Sequence, residues 1–150
     1  MSVNRFRPIQ EYMGRVNLPT RKTEGSAGYD IEAAETMTIE PGQVAFVPTG
    51  LKCYVKDGEY LALHMRSSIA TKNKVFLIHG TGIIDSDYAD NPQNEGHIMI
   101  PIVNMGDKPY RVAYGDRIVQ GIFTKYDLTE NDAEDFKAKR TGGFGSTGRS

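Results

Sequence analysis

No apolar period of 3.6 residues persists along this chain for long enough to build a major helix. What recurs instead is the short β-rich run, cut off by glycine or proline. Met37-Thr38-Ile39 reads as a strand closed by a Pro41-Gly42 turn, and Val44–Val47 and Leu51–Val55 are separated by Pro48-Thr49-Gly50. Asp57-Gly58 predicts a hairpin into Tyr60–His64. Val75–Ile78 is an apolar run, His97–Val103 reads as a buried strand, Val3–Ile9 as an edge strand, and Tyr110–Val112 with Arg117–Lys125 as a hairpin-like pair around Gly115-Asp116. One short helix is predicted from Ser67 to about Asn73, with a serine near its N-cap. Many short strands between turn residues predict an all-β sandwich or barrel, in one domain without internal repeats.

Composition narrows the function classes. A chain of 150 residues with 39% hydrophobic and 25% charged content fits a single soluble domain with a real core. A net charge of −1 gives no electrostatic reason to expect nucleic-acid binding. The single cysteine, Cys53, excludes an intrachain disulfide and sits in an apolar run, where a buried inert thiol is expected rather than a nucleophile. No apolar run approaches the length of a membrane span, and Met1–Arg7 lacks an apolar signal core, so a cytoplasmic protein is expected.

Four stretches carry residues with chemical potential. Gly80-Thr81-Gly82-Ile83-Ile84-Asp85-Ser86-Asp87-Tyr88 pairs a bare backbone with a carboxylate and a flat ring. Glycine lets a hairpin approach a ligand closely, so its N–H and C=O groups become available to a flat polar molecule. The bland alternative is a turn with solvated acids. Arg66-Ser67-Ser68 at a helix start is either an anion cradle or an N-cap beside a surface arginine. Gln120 in Gly115-Asp116-Arg117-Ile118-Val119-Gln120 is either an outward strand residue or a donor aimed at a site. The glycine-rich tail after Arg140 holds a single aromatic, Phe144. It lacks the lysine of a Walker loop, and an arm that stacks the aromatic on a ring and orders on binding fits its composition.

These stretches, together with Ala27-Gly28-Tyr29-Asp30-Ile31, resemble in order and spacing the five motifs of the trimeric deoxyuridine triphosphatase (dUTPase) family, from about residue 27 to 148. The resemblance implies a distorted jelly roll or β-clip with one short helix. It also implies a homotrimer in which the C-terminal arm of one chain closes a neighbour's site. Residues 1–126 would be the core, and 127–150 a linker and arm. The implied reaction is Mg²⁺-dependent hydrolysis of dUTP to dUMP and pyrophosphate, which limits uracil incorporation into DNA and supplies dUMP for thymidylate synthesis.

By the same resemblance, Asp85 activates the attacking water and meets the deoxyribose 3′-hydroxyl, while Tyr88 packs on the sugar face. His79, Gly80, Gly82, Ile83 and Ile84 present the uracil-reading hairpin, with Met99 near the base. Arg66, Ser67, Ser68 and Gln120 hold the triphosphate. Phe144 and Gly145 cover uracil, Arg140 reaches the terminal phosphate, and Asp30 plays a supporting structural role. Mg²⁺ is held through phosphate oxygens and water rather than by a protein cage. The chain departs from the family pattern in a longer loop, Ala89–Glu95, in His79, and in an arginine four residues before the aromatic, with Lys139 at five. Two rivals share the fold: a dCTP deaminase, which attacks the base, and a nucleotide-switched module with a regulatory protein partner, as in some viral members.

Overall fold

A computed structural model describes residues 2–143. Eleven strands run in chain order as β1 (Arg5–Pro8), β2 (Tyr29–Glu32), β3 (Met37–Ile39), β4 (Val44–Pro48), β5 (Leu51–Tyr54), β6 (Glu59–Met65), β7 (Val75–Leu77), β8 (Gly82–Ile84), β9 (Met99–Asn104), β10 (Tyr110–Val112) and β11 (Arg117–Lys125). The single α-helix, α1 (Ser67–Asn73), lies between β6 and β7. No helix among the described residues is long and apolar enough to cross a membrane.

The strands form four sheets, ordered β1-β5, β10-β3, β2-β11-β6-β8 and β4-β9-β7. All pairings are antiparallel, and none joins consecutive strands. Each turn therefore hands the chain from one sheet to another, as in a jelly roll, and the predicted hairpins are corrected accordingly. The turn at Asp57-Gly58 is present, with Gly58 at φ 82°, but β5 pairs with β1 and β6 with β8 and β11. Likewise β10 pairs with β3, not with β11. Turn chemistry is local and readable, whereas the partner across the sheet is chosen by which faces must be buried.

Those faces meet in one core. Ile31 (β2), Ile39 (β3), Val47 (β4), Leu51 (β5), Leu61 (β6), Val75 (β7), Ile100 and Ile102 (β9), Val112 (β10) and Ile118 (β11) are all fully buried within it. The buried Asn104 serves it as a polar rivet: its amide donates to the Ile39 and Lys108 carbonyls and accepts from Gly106 N–H. Cys53 is also fully buried, and burial pushes its thiol up to about 12, so it remains a protonated, inert filler.

The helix has the predicted span, with Ser67 directly after its N-cap. Its N-cap is Arg66, without a side-chain capping bond, and Lys74 closes its C-terminus in the left-handed conformation. The charged stretch after β11 holds only a short 3-10 turn, Asp132–Glu134, within exposed chain.

Candidate active site

Two clusters of chemistry-bearing side chains form toward opposite edges of the β2-β11-β6-β8 sheet. The first surrounds β8. The crossing from β7 to β8 turns at Gly80, whose φ of 76° suits glycine and whose N–H donates to the Leu77 carbonyl at 2.9 Å. β7 and β8 do not pair with each other, so the expected hairpin is a sheet-to-sheet crossing. Among the described residues β8 pairs with β6 on one side only and is an edge strand, so it presents a row of backbone N–H and C=O groups.

Beside that edge lies a cavity of about 280 Å³, lined by Leu63, His79, Thr81, Gly82, Ile83, Ile84, Asp85, Tyr88, Met99, Arg140 and Gly143. It brings together His79, Gly82, Ile83, Ile84, Asp85, Tyr88, Met99 and Arg140 of the residues expected at a site. Leu63, Thr81 and Gly143 are additions: Thr81 lies within the glycine-flanked stretch and Gly143 within the glycine-rich tail, whereas Leu63 comes from β6, where it pairs with Gly82.

Tyr88 forms a buried wall of this cavity, its hydroxyl donating to the His97 carbonyl at 2.8 Å and accepting from Asn94 Nδ2 at 2.9 Å. Asp85 is exposed at the rim and accepts from Arg140 Nη2 at 2.6 Å, while Asp87 accepts from Arg140 Nε at 2.7 Å. The Arg140 guanidinium also lies 6.0 Å from the centre of the Tyr88 ring, within cation–π range. Arg140 thus stands at the cavity beside β8 of its own chain, rather than among the groups expected to hold phosphate. Phe144 and Gly145 lie outside the described residues.

The second cluster contains Lys22, Ser26, Asp30, Arg66, Ser67, Ser68, Arg117 and Gln120. Asp30 and Gln120 face each other across β2 and β11, and Arg66 follows the end of β6. A Cβ on Gly28 would stand 2.4 Å from Gln120 Oε1 and 2.9 Å from its Cβ, so the glycine makes room for that side chain. Asp30 stands between two guanidiniums, 3.8 Å from Arg66 Nε and 3.6 Å from Arg117 Nη1, and Arg66 Nη1 donates to the Arg117 carbonyl. These contacts place Asp30 between Arg66 and Arg117. Arg117 and Lys22 were not singled out from the sequence. Arg117 was visible as the arginine of its motif, whereas Lys22 sits in a polar loop without a signal. The two clusters share no lining residue.

Comparison with known proteins bears on this arrangement. A family model described as dUTPase matches residues 15–148. A "Deoxyuridine 5'-triphosphate nucleotidohydrolase" of Lactococcus lactis subsp. lactis is 44% identical over 99% of both chains. A crystal structure of a dUTPase from Streptococcus mutans superposes with a TM-score of 0.80 at 42% identity, covering 83% of this chain and 98% of that one. A Staphylococcus bacteriophage 80alpha dUTPase bound to dUpNHpp shares the fold, with a TM-score of 0.74 at 22% identity over 92% of this chain and all of that one.

Proposed function

We infer that this chain, which belongs to the dUTPase family, hydrolyses dUTP to dUMP and pyrophosphate. One observation carries the mechanism: a carboxylate, a flat ring and the free edge of β8 converge on one cavity. In this reading the β8 edge reads the uracil rim, with His79, Gly80, Gly82, Ile83 and Ile84 supplying the surface and Met99 packing near the base. Cytosine reverses part of the donor–acceptor pattern and would leave buried groups unpaired. Tyr88 packs against the deoxyribose, where a ribose 2′-hydroxyl has no room.

Asp85 accepts a proton from the water that attacks phosphorus, and the bond between the first and second phosphates breaks to release pyrophosphate. Arg66, Ser67, Ser68 and Gln120 hold the triphosphate, with Arg117 and Lys22 adding charge, and Asp30 orients the two arginines. Arg140 exchanges its carboxylate partners for phosphate when nucleotide arrives, and Phe144 and Gly145 cover the base.

Mg²⁺ fits the donor set only if the nucleotide brings oxygens, because no group of three or more His, Cys, Asp or Glu gathers among the described residues. When bound, it offsets charge on the departing pyrophosphate.

The separation of the two clusters supports a homotrimer, in which one chain's β8 cavity meets another's cradle. A candidate face for contact is the outer side of β4-β9-β7. There Val44 and Phe76 flank Val103 across the sheet, and Val44, Phe76 and Ile78 are 43%, 44% and 55% exposed. In the assembly the arm of residues 127–150 would take a neighbour's seat, repeating contacts that it makes to its own chain here. With its 3-10 turn at Asp132–Glu134 unwound, the stretch 126–139 could span roughly 45 Å at about 3.3 Å per residue. Cytoplasmic residence belongs to the same proposal, supported by the buried free thiol of Cys53.

The test is pyrophosphate release from dUTP, dTTP, dCTP and UTP with Mg²⁺. Release from dUTP alone is expected. Ammonia release from dCTP would indicate a deaminase. Binding of dUTP without release from any substrate would indicate a nucleotide-switched regulator with a protein partner.

A further inference from the structure

The loop after Tyr88 is longer than the family pattern leads one to expect, and it is built rather than loose. Asn91, 5% exposed, donates through Nδ2 to the Tyr88 carbonyl at 2.7 Å and to Asn94 Oδ1 at 2.8 Å. Its Oδ1 accepts from Gln93 N–H and Asn94 N–H at 3.0 and 3.1 Å. Asn94 then donates to the Tyr88 hydroxyl and accepts from Gly96 N–H. All four hydrogen-bonding directions of the Asn91 amide, and three of those of Asn94, are therefore used to fold the loop around Tyr88. From below, Lys52 pairs with Asp90 at 2.6 Å and Glu95 at 2.8 Å, and Glu95 accepts from Gln10 N–H. The loop is pinned at both ends.

Its outer side carries the start of the C-terminal arm. Gln93 N–H donates to the Thr141 carbonyl at 3.1 Å. Gly142 is buried, and a Cβ there would stand 1.8 Å from Gln93 Oε1, 2.6 Å from Cδ and 2.9 Å from Cβ. Gly142 is not in the left-handed region, so alanine would be free of backbone strain there, and the three atoms nearest its Cβ all belong to the Gln93 side chain. At Gly143 a Cβ would meet the Tyr88 ring at 3.0 Å. Arg140 completes the seat through Asp85, Asp87 and the Gly142 carbonyl.

We propose that the 89–96 loop is the docking seat of the C-terminal arm, with Gln93 as the positioning residue that receives it and Gly142 as the residue keyed to Gln93. The loop that fixes the Tyr88 wall of the sugar pocket thereby also governs closure of the arm. The catalytic consequence rests on the dUTPase reading; the seat itself does not.

The experiment is a double-mutant cycle in the full-length protein with Gly142→Ala, Gln93→Gly and the two combined. One readout is KM and kcat for pyrophosphate release from dUTP. The other is the rate of tryptic cleavage after Arg140, with a non-hydrolysable dUTP analogue present. Gly142→Ala should raise KM and speed cleavage by roughly 5- to 100-fold, the range that overpacking by one methyl produces. Adding Gln93→Gly should return both toward the values of Gln93→Gly alone. Losses that simply add would overturn the proposal. So would an unchanged cleavage rate in Gly142→Ala, which lies in the arm and leaves the loop intact. Rescue of protection in a protein that does not cleave dUTP would overturn the reaction and leave the seat standing.

Discussion

The cavity beside β8 and the cradle around Arg66 belong to one sheet but are finished to different degrees. The cavity is closed by short contacts: Arg140 meets Asp85 and Asp87 at 2.6 and 2.7 Å, and Tyr88 is held through its hydroxyl on two sides. The cradle is looser. Asp30 stands 3.8 and 3.6 Å from its two guanidiniums, and three cationic side chains face that one carboxylate. A flat heterocycle is recognised by donors and acceptors at fixed positions, which requires a preorganised wall. A polyphosphate is attracted by charge and can draw flexible arginines into place. The difference suits a ligand that is neutral and planar at one end and highly anionic at the other.

The strongest way to break this picture lies on the cavity side. Asp85→Asn should lower pyrophosphate release from dUTP by about 10²–10⁴-fold, the usual worth of a positioned general base. Calorimetry should still show nucleotide binding, because the β8 edge and the cradle remain. Turnover near that of the parent protein would remove Asp85 from the chemistry.

Deleting Thr141–Ser150 comes next. Among the described residues the core cluster contains none beyond Val119 and draws partly buried neighbours no further than Phe123, so the truncated chain should unfold at the same temperature. Turnover should drop by about 10²-fold through lost positioning. Assembling truncated chains with Asp85→Asn chains then probes exchange of the arm. Mixed trimers should regain activity, since an intact arm from one chain can cover an intact Asp85 in another. Lack of recovery, with mixed assemblies verified by mass, would mean that each arm serves only its own chain.

On the cradle side the expected effect is smaller and depends on salt. Arg66→Ala should raise KM by about tenfold at low ionic strength, consistent with the ~1.5–3 kcal/mol of a hydrogen bond to a charged group. The penalty should shrink as salt screens the remaining cations. A KM unchanged at every salt concentration would exclude Arg66 from phosphate binding and leave the cradle to Arg117 and Lys22.

How much of this was legible in the sequence follows the range of the forces involved. The extents of β3 and α1 were visible because turn residues and a short β-poor segment are local signals. Most residues of the two clusters were visible too, as ordered motifs. Strand partners were not: Leu51 opens the strand that pairs with Arg5–Pro8, far back in the chain, and no property of Asp57-Gly58 reveals it. Nor was the role of Asn91, Gln93 and Asn94. Their polar string reads as a solvated loop, and only folding shows amides saturating one another around Tyr88. Cys53 was readable as buried because its neighbours are apolar, whereas the Lys52 beside it points to the Asp90–Glu95 clamp, some forty residues distant.

The subtlest contrast is that a buried imidazole, His97, backs the Tyr88 wall of the cavity, whereas no histidine lines the cradle. His97 lies between the Tyr88 wall and the N-terminal segment. Its carbonyl accepts from Tyr88, its ring lies 5.5 Å from that of Tyr12, and its Nε2 accepts from Gly50 N–H at 2.9 Å. That bond requires the neutral ring with the proton on Nδ1. Burial holds the imidazole below its ordinary value of 6.5, against the opposing pull of Glu11, Glu95 and Glu35. The unfolded chain therefore takes up a proton as pH falls through 6.5 while the folded chain resists. Stability should be full above that pH and decline below it, by at most about 1.4 kcal/mol per pH unit, until the folded pKa is reached. A second decline should begin below pH 4.5, where Glu95, held down chiefly by its hydrogen bond from Lys52, protonates in the unfolded chain first. His97→Gln keeps an acceptor for Gly50 without a titrating ring. Urea unfolding across pH 7 to 4 should show the upper decline flattened in this variant and the lower one unchanged. An upper slope that survives the substitution would assign the proton uptake to another group.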